Sequence, residues 1–216
     1  MKKRVIYTLL FLVAGTWLSV AQAQTVAEKN GNIYISQLDG TQKQLTNTGL
    51  DRQPVISPDK KYVAFVRHVP GKNLETTTSE YAETTELWLI GIDGKKSQQL
   101  IPGKHGKNPK EILAGIQSPQ FSPDGNRLYF LSAGWATSGA VHVIDLETKQ
   151  TRLLSPGNTL HVIQKGRYQG HLIVSMHKYW LGGGSYDWYW LLDPNDGKEI
   201  GPIGEDLEEF EKLYIE

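Results

Sequence analysis

An all-β fold, built as a small β-propeller, is what this sequence predicts, and three observations predict it. Four hairpin-like segments recur along the chain, at residues 32–46, 86–101, 140–155 and 187–201, each an apolar strand, a polar turn and a second strand. Aligned on Asp39-Gly40, Asp93-Gly94, Glu147-Thr148 and Asp196-Gly197, they are spaced by 54, 54 and 49 residues. A second kind of hairpin lies between them, at 54–67 and 119–132 and more loosely at 161–176. A unit of four short antiparallel strands repeating every ~40–50 residues is the signature of a propeller blade. Lastly, Leu87–Ile92 and Trp188–Leu192 are apolar at odd and even positions alike. Both faces of such strands must be covered, which stacked blades achieve and a sheet with one wet face does not.

The chain opens with Met1-Lys2-Lys3-Arg4, runs without charge from Val5 to Val20, and reaches Ala21-Gln22-Ala23. These are the basic, apolar and small-residue parts of a secretory signal peptide. The apolar run, about 16 residues, falls short of the roughly 20 that span a bilayer. The expectation is therefore a signal peptide over residues 1–23 and a single propeller domain over 24–216, periplasmic or secreted, with no membrane span once the leader is cleaved.

The sequence contains no Cys, which removes both a lipid-anchored cysteine and a disulfide framework. Taking Lys2, Lys3 and Arg4 from the 23 basic residues leaves 20 against 23 acidic ones, a net charge of −3. That balance argues against a nucleic-acid partner.

Three complete four-strand units are visible, at 53–101, 118–155 and 158–202, with a half unit at each end. Pairing the C-terminal segment Phe210–Ile215 beside Ile33–Thr46 would close a four-bladed ring. The alternative is an open arc, whose free edges invite self-association.

The blades resemble the WD40-like PD40 repeats of the TolB-type propeller family. In residues 33–67 the resemblance rests on Ile33-Tyr34, Asp39-Gly40, Leu45-Thr46, Pro54, Ser57-Pro58-Asp59 and Val63-Ala64-Phe65. It recurs, interrupted, from Leu87 through Asp93-Gly94 and Leu100 to Pro119 and Ser122-Pro123-Asp124-Gly125, and fades beyond about residue 155. It implies a propeller that binds other envelope or periplasmic proteins. Similar repeats also form the propellers of oligopeptidase-type enzymes. The chain departs from TolB in lacking room for a further α/β domain and six blades.

Ser57, Pro58, Asp59, and their copies Ser122, Pro123, Asp124 and Gly125, read as blade turns rather than as twin catalytic carboxylates. Proline fixes φ, the aspartate bonds nearby backbone, and glycine takes the strained position. Because Lys60 stands where the copy has Gly125, a positive φ there is not expected to be obligatory. A nucleophile elbow of the form Gly-x-Ser-x-Gly is absent, since Gly183-Gly184-Ser185 continues into Tyr186 and Asp187. The six histidines follow no metal motif. The expectation is thus a non-enzymatic scaffold without cofactor or metal.

The stretch Tyr179–Trp190 holds six aromatics around a glycine run. Trp188 and Trp190 suit the gaps between blades, whereas Tyr179, Trp180 and Tyr186, nearer the loop, form the candidate ligand surface. A glycan-binding or glycan-processing propeller using this stretch as a sugar platform is the alternative function. Two insertions lengthen the repeat: an acidic, Thr-rich surface loop at 70–86 and a basic segment at 102–116 with a helical hint over Pro109–Ala114.

Overall fold

The computed structural model describes residues 24–74, 82–106 and 108–215. Residues 1–23, which carry the leader reading, lie outside them. The chain forms four antiparallel sheets in sequence order. The first contains β1 (Thr25–Lys29), β2 (Asn32–Ser36) and β3 (Gln42–Gln44). The second contains β4 (Asp51–Ile56), β5 (Tyr62–Leu74), β6 (Ala82–Gly91) and β7 (Gln98–Ile101). The third is β8 (Gln117–Phe121), β9 (Arg127–Ser132), β10 (Ala140–Asp145) and β11 (Thr151–Pro156). The fourth is β12 (Thr159–Val162), β13 (Leu172–Tyr179), β14 (Ser185–Leu192) and β15 (Glu199–Gly204), followed by a helix, α1 (Glu208–Tyr214). Each sheet is an up-and-down meander, so the molecule is a propeller with four blades, the first of them three-stranded.

The two-faced apolar strands have their explanation in the seams. In β6, Leu87 and Leu89 join Ala64, Val66, Phe121, Leu128 and Phe130 between the second and third blades. The intervening Trp88 and Ile90 pack with Ile33, Ile35, Val63 and Phe65 between the first and second. Tyr129, Leu131, Val141 and Val143 meet Val162, Leu172, Val174 and Trp190 in the seam between third and fourth. The core is therefore divided among the seams rather than gathered at one centre, and the middle strands of the second and third blades supply two seams at once.

Side-chain amides tie the innermost strands across these seams. Gln53 Oε1 accepts the Ser118 N–H at 2.6 Å. Further along, Gln120 Nε2 donates to the Leu160 carbonyl at 2.6 Å and Gln164 Nε2 to that of Phe121 at 3.0 Å. Gln53 and Ser118 sit at bulges in β4 and β8, with φ of 52° and 53°. Each precedes a proline, which has no N–H to offer a strand ladder, so the pairing must skip there.

The structure differs from the expectations at four places. The strand β1 was not anticipated, although Asn30-Gly31, with φ of 51° and 69°, is a strong two-residue hairpin turn. A side chain at Gly31 would sit 2.1 Å from the Gly49 carbonyl oxygen.

The C-terminal segment is not a closing strand beside Ile33–Thr46. It folds as α1, whose Phe210, with Leu207 and Ile215, packs on Ile163, Ile173, Leu191 and Tyr168 of the fourth blade. Leu207, Phe210 and Tyr214 follow the 3.6-residue period, and Glu208, Glu209 and Glu211 sit in the first turn, where the helix dipole favours negative charge.

The insertion at 70–86 is largely an extension of the β5–β6 hairpin, paired out to Leu74 and Ala82; residues 75–81 lie outside the described set. In the other insertion Lys104 bridges Leu113 in place of a helix, and Ile112 and Ala114 are buried.

Candidate functional site

The β13–β14 hairpin is rooted in the core and aromatic at its tip. Its eight-residue strands pair from Leu172↔Leu192 at the base to Tyr179↔Ser185 at the top. Leu172, Ile173, Val174, Met176, Leu191 and Leu192 are buried, which fixes the base. At the top, Trp180 N–H donates to Gly184 and Gly183 N–H returns a bond to Trp180, both at 3.1 Å. Gly183 and Gly184 hold φ of 95° and 85°, which glycine adopts readily and other residues do not. Ser185 opens β14 rather than a helix, so Gly183-Gly184-Ser185 is a strand–turn–strand corner.

The tip presents apolar surface to solvent. Tyr179 is 67% exposed, Trp180 51% and Leu181 fully so. Trp180 stacks on Tyr186 with ring centroids 4.2 Å apart, and Trp188 meets both edge-on at 5.9 and 5.0 Å. Contacts of this kind stiffen an otherwise free hairpin. On the opposite face Tyr179 lies edge-on to His177, whose Nδ1 is 2.9 Å from Asp187 Oδ1. Below the tip, Lys178 Nζ sits 3.5 Å from the Trp190 ring centre and bonds Glu199 at 2.6 Å.

The structure thus brings Tyr179, Trp180 and Tyr186 together at one hairpin end. Trp190 goes into the seam between the third and fourth blades. Trp188 is half-buried, with its indole N–H 3.3 Å from Glu205.

The two Ser-Pro-Asp copies lie elsewhere, at the turns joining β4 to β5 and β8 to β9. Ser57 Oγ donates to Asp59 Oδ1 at 2.7 Å, and the Tyr62 N–H donates back to Ser57 Oγ at 3.0 Å. Ser122 and Asp124 repeat this, with 2.5 Å from hydroxyl to carboxylate and 3.0 Å from Arg127 N–H to Ser122 Oγ. The serine hydroxyl is the main reason both aspartates are held below the usual carboxylate range. The two turns lie close together, since a Cβ added at Gly125 would meet the Pro58 ring at 3.5 Å. One expectation fails here: Lys60 adopts φ of 61°, so the left-handed residue is required even without glycine.

Sequence reading missed a buried ion pair. Asp51, fully buried, is gripped by Arg67 through Nε–Oδ1 at 2.6 Å and Nη2–Oδ2 at 3.0 Å, and by the Thr48 hydroxyl at 2.8 Å. The guanidinium also lies 4.3 Å from the Trp88 ring centre. Asp51 and Arg67 are cross-strand partners, a relation that no local motif reveals. Among the described residues no three His, Asp or Glu side chains are grouped closely enough to hold a metal ion, and no helix is long and apolar enough to cross a membrane.

No family model matches the chain, and no curated protein matches it in sequence. Solved structures do match its fold. TolB from Acinetobacter baumannii aligns at TM-score 0.52 and 16% identity over 79% of this chain and 37% of its own. The β-propeller domain of the Trilobed protease from Pyrococcus furiosus, described as having an open velcro topology, gives 0.52 and 16% over 79% of this chain and 47% of its own. Dipeptidyl peptidase 4 from Porphyromonas gingivalis gives 0.56 and 16% over 85% and 31%. This chain spans less than half the length of each of these neighbours.

At such identity the likeness is one of fold, and the fold is a β-propeller. It overturns the expectation of a non-enzymatic scaffold: two of these three propellers belong to peptidases, so the blade repeat that suggested a scaffold is equally at home in enzymes. The turn motif reports how blades are built and is silent about chemistry elsewhere.

Proposed function

We propose that this chain is a partner-binding β-propeller of the cell envelope, carrying TolB-type PD40 repeats and contacting another envelope or periplasmic protein through the β13–β14 hairpin. The observation that carries this reading is Leu181, wholly exposed next to the exposed Tyr179 and Trp180 at the end of a hairpin with a buried base. Rigid aromatic groups are what protein interfaces use as anchors, because they bury large area at small entropic cost, and the adjoining leucine adds apolar area to bury. The aliphatic knob also favours a protein over a glycan, since an isobutyl group offers nothing to sugar hydroxyls. The envelope location rests on the leader-like composition of residues 1–23.

A photo-crosslinking residue at position 181, in the chain expressed in its native envelope, tests the reading. One protein should be captured, and its purified form should bind the wild-type chain and lose binding to Trp180→Ala and Leu181→Ser. Equal binding by these variants removes the hairpin from the interface. Binding of a glycan array that Trp180→Ala abolishes would favour the sugar platform instead.

A further inference from the structure

A site of another kind lies at the inner end of the seam between the second and third blades. A cavity of about 300 Å³ opens there, and its polar lining is Arg52, Gln53, His68, Thr85 and Gln117, with no carboxylate among the lining residues. Thr85 is only 7% exposed, and its hydroxyl has no hydrogen-bond partner. Buried hydroxyls are seldom left in that state. Arg52 is exposed and, unlike Arg67 nearby, makes no ion pair among the described residues.

The backbone beneath is strained. Gln53 and the adjoining Ser118, at φ of 52° and 53°, both hold left-handed conformations immediately before prolines. Their mutual bond at 2.6 Å uses the Gln53 side-chain oxygen and leaves its amide hydrogens aimed at no described residue. Strain of this kind persists where surrounding structure enforces it, often at binding sites.

We infer that this cavity binds a small organic carboxylate. Arg52 supplies the fixed positive charge, the Gln53 and Gln117 amides supply further donors, and the Thr85 hydroxyl gains the partner it lacks. Guanidinium is the side chain best matched to a carboxylate, and a lining without acids imposes no repulsion. The volume equals that of roughly ten waters at ~30 Å³ each, so the ligand has on the order of ten non-hydrogen atoms. The hairpin on the fourth blade plays no part, and the two sites stand or fall separately.

Isothermal titration and ¹⁵N NMR of the whole chain with glutarate and glucuronate, against 1,5-pentanediol and glucose as uncharged counterparts, test the assignment. The acids should bind with Kd of about a millimolar or tighter and shift the Gln53 and Ser118 amide signals, while the neutral compounds do neither. Arg52→Gln should weaken binding roughly ten-fold or more and Thr85→Val about three- to ten-fold, with circular-dichroism melting unchanged for the first. The assignment is overturned by silence at ~10 mM acid, by equal binding of the neutral compounds, by unchanged affinity in Arg52→Gln, or by shifts confined to another seam.

Discussion

The side-chain oxygen of Gln120 accepts the backbone N–H of Val162 at 2.8 Å, across the seam between the third and fourth blades. Its nitrogen donates to the Leu160 carbonyl at 2.6 Å. One amide therefore satisfies two backbone groups of the edge strand β12, acting as a short length of strand. Gln120→Leu preserves bulk and leaves both groups without partners, so stability should fall by about 2–4 kcal/mol in urea titrations. A change below about 0.5 kcal/mol would mean that water substitutes for the amide.

Arg67 and Asp51 form a pair in which the carboxylate is fully buried and the guanidinium side chain is 19% exposed. Removing only the cation strands a charge in the interior. Arg67→Met should cost about 3–5 kcal/mol, and the double variant with Asp51→Asn should recover a good part of that loss. A double variant no more stable than the single one would place the cost in lost packing on Trp88.

Burial drives the His142 imidazole from its ordinary 6.5 down to about 4, and neither ring nitrogen has a hydrogen-bond partner. Because the folded value lies below the unfolded one, the unfolded chain takes up the proton first as pH falls. Stability is complete above pH 6.5 and is lost between there and about 4. The loss amounts to about 3 kcal/mol. His142→Phe, which keeps the stack on Phe130, should flatten this window. Asp59 and Asp124, held low by their serine partners, act only further into acid. An unaltered slope between pH 6.5 and 4 in the variant would refute the assignment.

Lys60 and Gly125 occupy the same turn position at φ of 61° and 74°. A left-handed conformation costs a side chain roughly 1–2 kcal/mol, partly offset by the greater freedom of glycine in the unfolded state. Lys60→Gly should thus stabilise by about 0.5 kcal/mol and Gly125→Ala destabilise by about 1 kcal/mol in calorimetry. A Cβ at Gly125 would meet Pro58 at an ordinary 3.5 Å, so a much larger loss would contradict a purely conformational origin.

The blade pattern was legible because it is written locally. The apolar parity of Leu87–Ile92 reports two covered faces, and the turns Asp93-Gly94 and Ser122-Pro123-Asp124-Gly125 mark where strands reverse. What stayed hidden depends on neighbours distant in sequence. Gln53 and Gln120 look like ordinary polar strand residues until 65 and 42 residues later the chain returns beside them. Asp51 acquires its meaning only from register with Arg67. The C-terminal segment was misjudged because seven residues can be read with either period, and contact with Tyr168 and Ile173 decides for the helix. The aromatic cluster was visible by composition, whereas its division into the half-buried Trp190 and the protruding Trp180 follows from the length of β13 and β14.

Each blade leans chiefly on its sequence neighbours: β1 and β2 on β4, β4 and β5 on β8, β8 and β9 on β12. An assembly coupled in this way behaves as a one-dimensional stack, able to order itself progressively from whichever blade forms first. As the chain emerges from synthesis, the second blade has all it needs to nucleate on the first, and the third on the second. The helix α1 follows the fourth blade in the chain and docks on its Ile163 and Ile173. Truncation ahead of Glu208 would therefore be felt first as fraying of the fourth blade, the one that carries the aromatic hairpin, while the earlier blades remain closed against one another.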